Sequence, residues 1–172
     1  MFKDEARFGR ISDPRYCWAP KGTRPVAPLQ LVREYTYAYA AVSPNDGTLD
    51  SLVLPDVNAE SMSIFLSIVS ERHPDERILM FMDQAAWHKA KALEIPLNIK
   101  LINLPPYSPE LNPAEHLWED IREKWFPNLV FKNITAVEDK LVEGLVSLER
   151  DNDRVAGLTG FGWLIGAIKV AT

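Results

Sequence analysis

Three carboxylates stand at positions where a chain can do chemistry. Asp83 ends the apolar run Ile78-Leu-Met-Phe-Met82 and opens the segment Gln84-Ala-Ala-Trp87-His88. A carboxylate at the C-terminal end of a buried strand lies where open α/β sheets place their ligands. The same residue could equally cap a helix that follows it. Glu115 ends the stretch Leu104-Pro-Pro-Tyr-Ser-Pro-Glu-Leu-Asn-Pro-Ala-Glu, in which Pro105, Pro106, Pro109 and Pro113 set much of the loop geometry before folding. A first-turn Glu complements the helix dipole, which accounts for an acid there but not for so rigid an approach. Asp4, in Phe2-Lys-Asp-Glu-Ala-Arg-Phe-Gly9, reads on its own as solvated surface. Carboxylates brought close together repel one another unless a cation lies between them, and their hard oxygens suit Mg²⁺ or Mn²⁺.

The elements that must hold these acids follow from pattern. Leu29–Val32 and Tyr35–Val42 read as strands, and the turn cluster Ser43-Pro-Asn-Asp-Gly47 should start a hairpin to Leu49–Leu54. Met62, Phe65, Leu66 and Val69 fall at helical spacing within residues 58–71, with Asn58 as a cap. Ile78–Met82 has the unbroken apolar character of a strand covered on both faces. Residues 85–94 read as a helix and Ile99–Leu104 as a strand. A further helix should run from about Pro113 to Trp125, burying Ala114, Leu117, Trp118, Ile121 and Trp125. The last should open on the capping-box pattern Thr135-Ala-Val-Glu138. Strands followed by alternating strand and helix describe an α/β domain with a mixed sheet and helices on its faces. The tail, 151–172, has no pattern that places it.

Composition narrows the class. With 172 residues, 47% of them apolar and 25% charged, the chain can bury one substantial core, which excludes disordered, collagen-like and coiled-coil readings. A single cysteine, Cys17, excludes an internal disulfide framework and a cysteine-based zinc site. The apolar runs are too short for a membrane span or a secretory signal. The formal net charge of −5 argues weakly against a nucleic-acid partner. Residues 1–40, however, carry seven basic and four acidic side chains, so positive charge gathers at the front.

Asp4-Glu-Ala-Arg-Phe-Gly9, Asp83-Gln-Ala-Ala-Trp-His88 and the proline-rich block Leu104–Trp118 together resemble the three catalytic blocks of DDE transposases. The bacterial insertion-sequence branch related to the mariner superfamily is the nearest in pattern. Its usual gap between the second and third acids is close to the 31 residues separating Asp83 from Glu115, and Trp18-Ala-Pro-Lys-Gly22 is similar as well. The likeness covers residues 1–150. It implies an RNase H-like mixed sheet with helices on both faces, on which Asp4, Asp83 and Glu115 converge as catalytic and metal-binding residues. The cofactor it implies is Mg²⁺ (or Mn²⁺), as two ions. Asp4 and Asp83 would bridge them and Glu115 would hold one. The reaction would be cleavage of phosphodiester bonds at transposon ends and DNA strand transfer.

The partners implied are DNA, as transposon ends and target, a second copy in a homodimer, and no membrane. The setting implied is the bacterial cytoplasm, at the nucleoid. Complete members carry an N-terminal helix-turn-helix region, and only Met1-Phe-Lys3 precedes Asp4 here. The expectation is therefore a catalytic domain without its DNA-reading part, which a separately encoded segment could supply. A first strand cut short before its acid is also expected. Two alternatives stay open: a non-catalytic remnant or binding module of the same fold, and a metal-dependent nuclease acting on another nucleic acid.

Other residues carry a bland reading beside a functional one. Arg7, Arg10, Arg15, Lys21 and Arg24 could bind a DNA backbone or form an ordinary solvated loop. Trp87 could stack on a base, whereas Trp118 and Trp125 read as core packing. His88, about one helical turn past Asp83, could touch a scissile phosphate or a metal ligand, or be structural. His116 reads as surface, and His73, in the polar turn Glu71-Arg-His-Pro-Asp-Glu76, as solvated. The three histidines are too scattered for a zinc site. Ser108 lacks the glycine elbow of a serine hydrolase.

Overall fold

The alternating, β-branched front half builds three antiparallel strands. In a computed structural model that describes residues 1–84 and 92–171, β1 is Phe2–Ile11, β2 is Leu31–Val42 and β3 is Leu49–Leu54. β1 and β2 pair from Phe2 opposite Val42 to Gly9 opposite Tyr35, with an irregularity between Gly9 and Ile11. After α1 (Ala59–Arg72) come β4 (Ile78–Met82) and β5 (Ile99–Asn103), both parallel additions, and the sheet order is β3-β2-β1-β4-β5. Four helices follow: α2 (Glu115–Trp125), α3 (Ile134–Glu149), α4 (Asn152–Thr159) and α5 (Gly162–Ala171). Among the described residues no helix is long and apolar enough to cross a membrane.

Strand alternation divides the core in two. Phe2, Ala6, Phe8, Ala38, Ala40 and Val42 face α2 and α3, meeting Leu117, Trp118, Ile121, Leu141, Leu145 and Leu148. Tyr39, Ala41, Met80 and Met82 face the other way, onto Met62, Phe65, Leu66 and Val69 of α1. The small alanines of β2 let helices approach closely on both sides. The expected mixed sheet with helices on both faces is therefore present.

Several local expectations change. β2 is one continuous strand from Leu31 to Val42 rather than two, its register with β1 shifting between the Gly9–Tyr35 and Ile11–Leu31 pairs. β1 is ten residues long and Asp4 lies inside it, so a short lead before the acid does not leave the strand short. α3 is capped by Asn133, whose side chain accepts from the Ala136 N–H at 2.9 Å, and not by Thr135. Residues 92–94 are not helical, and the rest of the expected 85–94 helix lies outside the described residues. β4 is buried on its α1 face, but Leu79 on the other face is half exposed, because α5 covers that face only in part. His73 is not solvated: its Nε2 lies 2.8 Å from Oδ2 of Asp50, a buried acid on β3 that also takes Arg72 at 3.0 Å.

The tail folds as part of the same body. Val155 of α4 and Leu164 of α5 join the α2–α3 core, and Arg154 pairs with the buried Asp120 of α2. The β2–β3 turn seats α4. Gly47 has a φ of 73°, and a Cβ there would lie 1.9 Å from the Asn152 carbonyl oxygen. Gly47→Ala combines left-handed strain with a backbone clash and is expected to cost on the order of 3 kcal/mol. A drop in the urea unfolding midpoint checks this, and an unchanged midpoint would mean that the turn does not press on α4.

Candidate active site

Sheet register brings the first two acids together. β1 runs parallel to β4 with Phe2 beside Phe81. Two residues further along that register, Asp4 lies level with Asp83, which follows the last residue of β4. Asp4 shares its parity with Phe2, Ala6 and Phe8, so its side chain points to the α2 side of the sheet. There it meets α2, whose first residue is Glu115. Three segments far apart in sequence thus reach one place because β1 is central and its neighbour is parallel.

The proline-rich loop is fastened at both ends. At one end the Leu104 N–H donates to the Met82 carbonyl at 2.8 Å, and Gln84 Nε2 donates to the Leu104 carbonyl at 3.0 Å. At the other end the buried Asn112 works in two directions. Its Nδ2 donates to the Lys3 carbonyl at 3.1 Å, and its Oδ1 accepts from the Ala114 N–H at 3.2 Å, at the entry to α2. Between these anchors the loop carries a single 3₁₀ turn, Pro109–Leu111, and an exposed Tyr107 with φ of 57°. The loop, Asp4, Asp83, Gln84, Asn112 and Glu115 enclose a cleft of about 510 Å³.

The acids differ in setting. Asp83 and Glu115 are exposed at the cleft, whereas Asp4 is only 9% exposed. Burial pushes the Asp4 carboxyl up to about 7; the negative charges of Glu115 and Glu5 add to the rise, while a hydrogen bond from Trp118 and the Lys3 charge oppose it. Lys3 is itself fully buried, paired with Glu5, its ammonium 5.3 Å from the Tyr39 ring centroid. Burial lowers its pKa, and the charges of Glu5, Asp4 and Asp83 work against that.

This donor set fits a hard divalent cation. All three acids offer oxygen, and the like-charge effect of Glu115 on Asp4 is what a cation would relieve. Among the described residues no three His, Cys, Asp or Glu side chains close into a metal cage. An open cleft lined by carboxylates is the arrangement Mg²⁺ tolerates, since it keeps several waters and is completed by substrate phosphates.

The other residues singled out by sequence lie elsewhere. Arg7 is exposed on β1, its guanidinium 4.4 Å from the Tyr35 ring centroid. Arg10 is held by Glu34 at 2.8 Å and by the Phe131 carbonyl at 2.9 Å. Lys21 and Arg24 lie on the exposed loop between β1 and β2, and Arg15 on the same loop pairs with Asp13 at 2.7 Å. Trp87 and His88 fall outside the described residues. His116 is exposed, as its helix position implies. The expected stripe of α2 is buried from Ala114 to Ile121, and Trp125 is half-buried. Pattern alone missed Gln84 and Asn112 as parts of the site. An Asn-Pro pair just before a helix was the one available signal for Asn112.

With this geometry in hand, the comparisons are specific. Residues 1–138 match the DDE superfamily endonuclease family. Over 100 residues the chain is 39% identical to uncharacterized protein y4pE/y4sA of Sinorhizobium fredii, covering 58% of this chain and 74% of that protein. Among solved structures it is similar to the Mos1 mariner paired end complex with Mn, at TM-score 0.64 and 16% identity, covering 92% of this chain and 53% of that one. It is also similar to a pre-cleavage Mos1 transpososome, at TM-score 0.64 and 15% identity, over 96% and 54% of the two chains. The catalytic domain of Mos1 mariner transposase matches at TM-score 0.56 and 15% identity, over 92% and 78%. The chain thus spans about half the length of the transposase chains in those complexes. At such identities the structural likeness shows the RNase H-like fold of transposase catalytic domains. The family match adds the chemistry class, and this chain belongs to the DDE superfamily endonucleases.

Proposed function

We propose that the chain is the catalytic domain of an insertion-sequence transposase, with Asp4, Asp83 and Glu115 as its catalytic metal ligands. The observation that carries this reading is that acids from residues 4, 83 and 115 line one open cleft. Asp4, within β1, and Asp83, just past the end of the parallel β4, would together hold the ions, and Glu115 would join them from α2. Two Mg²⁺ or Mn²⁺ ions, when bound, would activate the attacking oxygen and stabilise the leaving one in an in-line displacement at phosphorus. The protein's part is to hold its oxygens at fixed separations and to leave the cleft mouth open to a phosphodiester. The proline-rich loop, tied to β4 and to β1, forms one wall of that mouth.

DNA is the substrate this reading requires, at transposon ends and in the target. Solved Mos1 complexes with a left transposon end and with Mg or Mn support it by analogy of fold. The exposed Arg7, Lys21 and Arg24 suit contacts with backbone phosphates, and Trp87 and His88, adjoining Asp83 in sequence, suit contacts at the cleft. Arg10, engaged by Glu34 and the Phe131 carbonyl, is a further candidate for such contacts. A homodimer, a separately encoded helix-turn-helix segment and action at the bacterial nucleoid complete the reading.

The test is cleavage of a duplex carrying the inverted repeats that flank its gene, in Mg²⁺, Mn²⁺ or EDTA. Metal-dependent nicking at the repeat ends is expected, together with a melting temperature that rises with metal. A chain that binds DNA but neither cuts it nor responds to metal would be a non-catalytic remnant. One that cuts RNA or unrelated DNA equally well would be a nuclease of another substrate.

A further inference from the structure

We propose that Trp118 is a positioning residue for the metal centre: its indole N–H ties down one oxygen of Asp4 so that the other is presented to the cation. The inference rests on the reading of Asp4 as a metal ligand. Trp118 Nε1 donates to Asp4 Oδ2 at 2.8 Å, between residues 114 apart in sequence. Both partners are buried, Trp118 to 1% exposure. The indole is packed in the core, where Phe8 meets it edge-on, with ring centroids 6.3 Å apart and planes at 70°.

Helical spacing gives the contact its meaning. Trp118 is three residues after Glu115, so both project from the same side of α2. One helix therefore supplies one acid of the cleft and grips another. An Asp carboxylate rotates broadly about its last torsion, and a ligand whose rotation is already set would lose less freedom on holding a cation. A charge-assisted hydrogen bond from an immobilised donor sets that rotation. Packing alone does not require it, since an isosteric bicyclic ring fills the same space without an N–H. Trp125, two turns further along α2, is a tryptophan of the packing kind: its Nε1 is buried without a partner, and its ring receives the Lys140 ammonium at 4.8 Å.

That neighbour provides the control. Mn²⁺ binding to the full chain, read as free Mn²⁺ by electron paramagnetic resonance, is compared for wild type, Trp118→Phe, Trp125→Phe and Asp4→Asn. Loss of an outer partner of a metal ligand typically weakens metal affinity by about 10–100-fold, and that loss is expected for Trp118→Phe alone of the two tryptophan variants. Site-specific replacement of Trp118 by the benzothiophene isostere, which keeps the shape and lacks the N–H, should weaken Mn²⁺ binding to the same degree. This second variant serves if Trp118→Phe fails to fold. Wild-type affinity in the isostere, with binding lost in Asp4→Asn, overturns the positioning role and leaves the metal site standing. Absence of Mn²⁺ binding by wild type, or binding untouched by Asp4→Asn, overturns the metal-ligand reading and this inference with it.

Discussion

Asp83→Asn and Glu115→Gln are each expected to lose metal-dependent DNA nicking by about a thousandfold or more while remaining folded. A metal ion's stabilisation of developing charge is worth several kcal/mol, and each ~1.4 kcal/mol is a factor of ten in rate. Both side chains are exposed at the cleft, so neither substitution opens a cavity; Asp83→Asn removes one of the charges that support the buried Lys3 ammonium, and those of Glu5 and Asp4 remain. Glu115→Gln also removes a negative charge that burdens Asp4, so its fold should be at least as stable as wild type without metal. Nicking rates in Mg²⁺ and Mn²⁺, set beside circular dichroism melts, make the comparison. A variant that nicks at the wild-type rate takes its residue out of the site.

Asp4→Asn is expected to make the metal-free protein more stable at pH 8 while abolishing activity. The sign follows from the two states of the carboxyl. Unfolded, it titrates at the usual 3.8, and folded it titrates at about 7. The folded chain therefore holds the proton more tightly. Its stability from this group is full below the unfolded value, is lost as pH rises from about 4 to about 7, and is fully lost above that. Asparagine has a similar shape and no charge, so it avoids the loss. At 1.36 kcal/mol per unit the difference at pH 8 is on the order of a few kcal/mol, and it vanishes near pH 4. Urea unfolding in EDTA at pH 4, 6 and 8 measures it. Adding Mg²⁺ should narrow or reverse the gap, because only wild type gains from the cation. An Asp4→Asn variant no more stable than wild type at pH 8 would contradict the buried charge. Such an exchange of stability for function is common at active sites.

How much of this was legible beforehand varies by element. α1, β3, β4 and β5 were readable because a helical period, a turn cluster and short apolar runs are written locally, and Asn58 caps α1 as its position implies, accepting from the Ser61 N–H at 2.8 Å. The three acid-bearing blocks were readable because their residue types are unusual together. The cap of α3 was misplaced by two residues, since Asn133 and Thr135 both suit the role and only the helix start decides between them. His73 was misread because its partner, Asp50, lies 23 residues earlier on a strand that folding brings beneath it. Nothing local marked α4 and α5 as part of the core. Val155 and Leu164 are buried only because α2 and α3 provide a surface for them.

The sequence by itself determined the chemistry available: three oxygen-donor acids, a loop stiffened by proline, and a helix that starts at the third acid. Tertiary structure alone decided that Asp4 is the buried one of the three, that Trp118 grips its carboxylate and that Asn112 ties the neighbouring Lys3 backbone to the entry of α2. Residue type and spacing are local properties. Burial and hydrogen-bond partners depend on sheet order and register, which bring residues 3 and 4 to residues 83, 112, 115 and 118 only once β1 lies between β2 and β4. A carboxylate's charge follows its surroundings, so the protonation of Asp4 is a property of the fold.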